Sequence, residues 1–172
     1  MRPTFIDTLA PSDGPLVAMA GGTYRIVVAG EQTGQAYAII DMLVPPHSGP
    51  IPHAHAGIQE TFYVMDGEVV ARSETQTFTA QKGAVFTIPK GGAIHNFTNE
   101  SDAPAHLLCI VAPAGLDQFF QEVGQPLVAG QSVPPQPPTP EQRQRIAASA
   151  QQHGQELFPP DYLLKKQGIN PA

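Results

Sequence analysis

The chain has 172 residues, 41% of them hydrophobic, with 16 glycines, 19 prolines and a formal net charge of −6. That length suits one domain with appendages, and Gly plus Pro at roughly one residue in five points to many short strands joined by turns. The nine basic residues are scattered, with Lys165-Lys166 the one adjacent pair, which excludes the basic stripe a nucleic-acid partner needs. No run reaches the roughly 18–20 apolar residues of a membrane span, and the N-terminus lacks a basic region followed by an apolar core, so the expected location is the cytoplasm. The single cysteine, Cys109, allows no intrachain disulfide; in the run HLLCIVA it reads as a small buried hydrophobe.

In chain order, residues 1–22 read as an N-terminal arm that packs on a barrel or on a neighbouring subunit. TYRIVVAG (23–30) and AYAIIDMLV (36–44) are β-type runs, and PPHSGPIP is a stiff loop, because its prolines remove ladder donors. From 60 to 72 the sequence predicts a strand, a turn at Asp66 and Gly67, and a returning strand, since Asp-Gly between β-formers is a hairpin signal. Further strands are expected at QTFTA, Val85–Ile88, Ile94–Thr98 and His106–Ala112, and seven or eight short strands make a sandwich or small barrel. In GLDQFFQEVG, Leu116, Phe119, Phe120 and Val123 form one helical face, with Gly124 as the stop. QSVPPQPPTP reads as an extended connector. A surface helix follows, with Thr139 as N-cap, Pro140 at its first position and Gln142 completing a capping box, running to about His153. The resulting division is an arm at 1–22, a barrel with its first packing helix at 23–124, and a linker with a helical tail packed on the barrel at 125–172.

Chemistry concentrates between His53 and Asn99. HAHAGIQETFYVMDG sets His53 and His55 two apart, sharing one face of a strand, with Glu60 five further on and Gly67 after it. GAVFTIPKGGAIHNFTN sets Gly83, Pro89, Gly91, His95 and Asn99 at intervals that aim His95 from a second strand. Glu60 is an odd number of residues from His55, so the AGI between them must bend or bulge to bring the carboxylate back to the imidazoles. Three imidazoles and one carboxylate suit one divalent transition metal, Fe, Mn, Ni, Co or Zn, without selecting among them. Four protein ligands on a six-coordinate ion leave two positions for substrate, water or dioxygen. His47, His106 and His153 read as isolated residues, His153 complementing a helix C-terminus.

These two stretches resemble the paired signature motifs of the cupin superfamily. The second matches the pattern at Gly83, Pro89, Gly91, His95 and Asn99, and the first at His53, His55, Glu60 and Gly67, with His47 in place of the opening glycine. The resemblance implies an all-β fold, a double-stranded β-helix or jelly-roll barrel with short C-terminal helices, and metal ligands at His53, His55, Glu60 and His95. VAGEQTGQAYAIIDMLVPPHSGPIPHAH, ETFYVMDGE, IHNFTNESDAPAHLLCIVAPAGLDQFF and ELFPP are further similar to single-domain quercetinase-like cupins.

That narrower resemblance implies a dioxygenase acting with O2 on a flavonol or similar enol-bearing aromatic, with Glu60 as the catalytic base, and a homodimer contacting through its arm and strand edges. Phe62, Tyr63, Met42, Phe97, Ile110 and Phe119 are candidates for cavity walls. The rival expectations are a cupin isomerase or decarboxylase, whose turnover ignores oxygen, and a non-catalytic small-molecule-binding cupin.

Overall fold

Runs of β-branched and aromatic residues between turn formers become strands in the computed structural model, which describes residues 2, 4–128, 130, 131 and 138–169. The strands are β1 (Leu16–Met19), β2 (Gly22–Val28), β3 (Ala38–Val44), β4 (His53–His55), β5 (Gln59–Asp66), β6 (Glu68–Ser73), β7 (Thr77–Gln81), β8 (Val85–Ile88), β9 (His95–Thr98), β10 (Ala105–Ala112), β11 (Gln125–Pro126) and β12 (Gln155–Leu157). The helices are α1 (Leu116–Val123), α2 (Pro140–Gln152) and α3 (Tyr162–Lys166). Residues 132–137 of the proline-rich connector lie outside the described residues. No helix among the described residues is long and apolar enough to cross a membrane.

One sheet has seven strands in the order β11-β1-β2-β3-β10-β5-β8, the other five in the order β12-β4-β9-β6-β7. All pairings are antiparallel, and the two sheets enclose one core as a double-stranded β-helix. Alternation sets which side chains enter it: Ile40, Met42 and Val44 from β3, Phe62 and Val64 from β5, and Leu107, Cys109 and Val111 from β10 are all buried. Phe62 stacks on Phe86 with ring centroids 4.8 Å apart and meets Phe97 edge-on at 5.3 Å. The predicted face of α1 is buried at Leu116, Phe119, Phe120 and Val123, with Phe120 packed 4.9 Å from the Tyr24 ring. The Thr139 capping box and Pro140 open α2 as expected, and His153 is its C-cap.

The predicted 60–72 hairpin does not form. β5 pairs with β10 and β8 in one sheet, whereas β6 pairs with β7 and β9 in the other. Asp66 and Gly67 therefore carry the chain between sheets. Gly67 has φ +71°, and a Cβ there would lie 2.7 Å from the Pro104 carbonyl oxygen, so the crossing needs glycine both for its backbone angle and for clearance. The hairpin that does form joins β6 to β7, where Ser73 Oγ accepts from the Gln76 amide. Part of the segment expected as an arm is β1, paired with β2 and β11 inside the seven-stranded sheet.

Candidate metal centre

β4 emerges from the proline-rich loop as a three-residue strand with His53 and His55 on one face. His95 opens β9 and sits directly opposite His53 in the ladder. The corner before it is tied down by the Gly91 amide, which donates to the Ala56 carbonyl at 3.0 Å. Glu60 arrives from β5, in the other sheet. The AGI connection thus crosses between sheets, and the strand-parity objection to Glu60 disappears because parity constrains residues only within one strand. Asn99 serves the frame: its buried Nδ2 donates to the Val44 and Ala103 carbonyls and its Oδ1 accepts from the Ser101 amide.

One ligand atom from each of His53, His55, Glu60 and His95 lies within 4.8 Å of every other. Glu60 Oε2 is 2.9 Å from His55 Nε2 and 3.2 Å from His95 Nε2. The opposite nitrogen of each ring faces a backbone carbonyl: His53 Nδ1 to Ile51 at 2.9 Å, His55 Nδ1 to Ile58 at 3.1 Å, and His95 Nδ1 to Ala93 at 2.8 Å. A carbonyl oxygen only accepts, so each Nδ1 carries a hydrogen; a neutral ring then turns its Nε2 lone pair inward, whereas His55 and His95 donate to Glu60 only when a second proton sits on Nε2, the place a cation would take. Three lone pairs and a carboxylate facing one another are held together only by positive charge between them. A divalent ion fits that requirement, and second-group fixation of the tautomer is the usual arrangement around metal-bound histidine.

Titration follows from the same contacts. Burial disfavours the charged form of Glu60, but hydrogen bonds from His55 and His95 outweigh it and hold the carboxyl well below the usual range. Burial, then repulsion from His95, lowers His53 to about 4, so its lone pair is free at neutral pH. For His55 burial is again the largest influence and opposes charge, yet the hydrogen bond and charge of Glu60 together raise its pKa.

Of the candidate cavity walls, Met42, Phe62, Phe97 and Phe119 point into the core. Tyr63 and Ile110 do not: at 44% and 38% exposure they stand on the outer face of the seven-stranded sheet, one position out of phase with Phe62 and Cys109. His47 stays away from the cluster and contacts the exposed Asp102 at 3.1 Å; its φ of +55° is the left-handed conformation a glycine would adopt without strain. His106 pairs with Asp41, and His153 with Glu122 at 3.0 Å.

Cys109 is buried as expected, but its Sγ also lies 3.8 Å from Glu60 Oε1, on the side of the carboxylate away from the imidazoles. Burial, and then the charge of Glu60, push its thiol pKa up, so it stays protonated as a weak donor to the carboxylate. The alternation of Leu107, Cys109 and Val111 is the one local signal that it faces inward.

A cupin-domain family model matches residues 40–111, the stretch holding all four donors. Over 118 residues the chain is 22% identical to quercetin 2,3-dioxygenase of Bacillus subtilis (strain 168), a match that covers 69% of this chain and 34% of that protein, so the chain spans about a third of its relative's length. The polyketide cyclase RemF of Streptomyces resistomycificus superposes with a TM-score of 0.56 at 15% identity, covering 75% of this chain and 88% of that one. A predicted oxalate decarboxylase of Thermotoga maritima superposes at 0.52 with 22% identity, covering 58% and 92%. At such identities the two structures carry the fold and leave the reaction open. Matched across the strands that bear every donor and folded as these structures are, the chain carries a cupin domain over residues 40–111.

Proposed function

We propose that the chain binds one divalent transition metal through His53, His55, Glu60 and His95 and acts as a quercetinase-like dioxygenase on an enol-bearing aromatic. The observation that carries this reading is the set of three Nδ1–carbonyl contacts, which turn three lone pairs onto one carboxylate. The bound ion supplies Lewis acidity and, when redox-active, an electron path between an enolate and dioxygen. Glu60 is the base that takes the substrate's hydroxyl proton. The rings of His53, His55 and His95 stay fixed by their carbonyls and keep their Nδ1 hydrogens throughout. Met42, Phe62 and Phe97 exclude water from the inner side.

The similarity to a quercetin dioxygenase supports the substrate class, and the exposed row of Leu43, Tyr63, Met65, Val85 and Ile110 supports pairing of two chains. Oxygen-electrode assays of metal-loaded protein with a flavonol test the reading. Uptake that disappears in His95→Ala, with the far-UV spectrum of the variant unchanged, is the expected result. Product formed equally under argon would move the protein to the isomerases or decarboxylases, and tight flavonol binding without product would make it a binding module.

A further inference from the structure

Strand β12 comes from the C-terminal segment, beyond the residues 40–111 that the family model matches. It pairs antiparallel with β4, setting Gln155 opposite His55, Glu156 opposite Ala54 and Leu157 opposite His53. Directly opposed residues of an antiparallel pair project from the same face of the sheet. His55 projects onto Glu60, so Gln155 stands on the inner face beside a proposed metal ligand.

Gln155 is only 8% exposed, and its amide nitrogen is buried without a hydrogen-bond partner among the described residues. Neighbouring polar side chains have partners: His53 Nδ1 at Ile51, His55 between Ile58 and Glu60, His95 between Ala93 and Glu60, and Cys109 against Glu60 Oε1. Among the described residues three other buried side-chain polar atoms lack partners. Those of Arg72 and Asn96 sit opposite each other on the outer face of the five-stranded sheet, and that of Ser149 is on α2. Among the described residues only Gln155 combines an unsatisfied buried donor with a place beside the cluster. A buried amide left without a partner destabilises the fold, and such groups ordinarily find one.

We propose that Gln155 is a ligand-contacting residue of this centre, its side-chain amide donating a hydrogen bond to a carbonyl oxygen of an aromatic enol whose hydroxyl oxygen binds at the metal. The inference rests on the metal reading given above. An α-hydroxyenone offers two adjacent oxygens, one that loses its proton and one that only accepts. The cluster itself has no donor for the second, because every Nδ1 hydrogen is committed to a backbone carbonyl. Gln155 supplies that donor, and the C-terminal segment thereby becomes a determinant of which ligand is held.

Cobalt(II)-loaded wild type, Gln155→Met and Gln155→Leu are titrated without oxygen with 3-hydroxyflavone, with azide as a one-atom ligand for comparison. The absorption shift of the flavone, the cobalt d–d bands and the melting temperature are recorded together. The expected result is flavone binding weakened about tenfold or more in both variants. Azide affinity and the cobalt bands should stay unchanged, and melting temperatures should equal or exceed wild type once the unsatisfied amide is gone. Equal flavone affinity in the variants overturns the role of Gln155 while leaving the metal centre standing. A clear drop in melting temperature in both variants overturns it too, because the amide would then be bonded within the protein. Wild type that takes cobalt but not the flavone rejects the ligand class and this role with it, and failure to take cobalt at all rejects the metal reading first.

Discussion

Glu60 is where the chemistry of the site is most exposed to test at the scale of single residues. A buried carboxylate among imidazoles is stable only with positive charge between them, so removing its charge removes the reason for a cation to bind. Glu60→Gln keeps the shape and is expected to lower divalent-metal affinity on the order of 100-fold or more, read by calorimetric titration. His53, His55 and His95 are legible in the sequence because a two-residue spacing and a Pro-x-Gly corner carry their direction locally. The side from which Glu60 enters is not legible, since strand parity says nothing about a residue that comes from the other sheet. Cys109 and Gln155 are harder still: their place at the site depends on registers, Cys109 opposite Phe62 and Gln155 opposite His55, set by partners 47 and 100 residues away.

At the scale of elements, the crossing at Gly67 and the cap of α2 are separable tests. Gly67→Ala meets both a left-handed backbone angle and the Pro104 carbonyl, and is expected to cost about 2 kcal/mol or more in chemical denaturation. A cost below about 0.5 kcal/mol would show that the crossing tolerates a side chain. Thr139→Ala removes the hydroxyl that accepts from the Gln142 amide at 3.2 Å and is expected to cost about 1 kcal/mol. The helices were readable because α1 and α2 are specified by their own periodicity and caps. Asp66-Gly67 misleads as a hairpin signal because it reports only that the chain turns; β10 and β8 draw β5 into one sheet, while β7 and β9 hold β6 in the other. β12 and α3 had no comparable local pattern.

At the scale of the whole molecule, the outer network of Arg25, Asp41 and His106 ties β2, β3 and β10 together, and Arg25 Nη1 also donates to the Pro11 carbonyl at 2.6 Å. Partial burial opposes the charge on Asp41, but hydrogen bonds from Arg25 and His106 outweigh it and lower its pKa. A carboxyl lowered on folding contributes stability above its ordinary pKa and loses it as pH falls through the folded value. The contribution of Asp41 is therefore full at neutral pH, begins to fall near the ordinary carboxyl value of about 4, and is lost as the pH drops further. Allowing for solvent screening it amounts to about 1 kcal/mol, so Asp41→Asn should melt lower than wild type at pH 7, by a margin that shrinks as the solution is made more acid.

Metal binding should act on the same global equilibrium. An ion present at about 100 times its dissociation constant adds about 2.7 kcal/mol to the folded state, provided the unfolded chain does not hold it. The most direct measurement is elemental analysis of the purified chain after supplementation with a divalent transition metal, set beside His95→Ala and Glu60→Gln treated identically. Wild type is expected to hold close to one ion per chain, with a matching rise in melting temperature that a chelator reverses, and the two variants are expected to show neither effect. Wild type without bound metal, or variants that retain it in full, would contradict the assignment of His53, His55, Glu60 and His95 as its ligands.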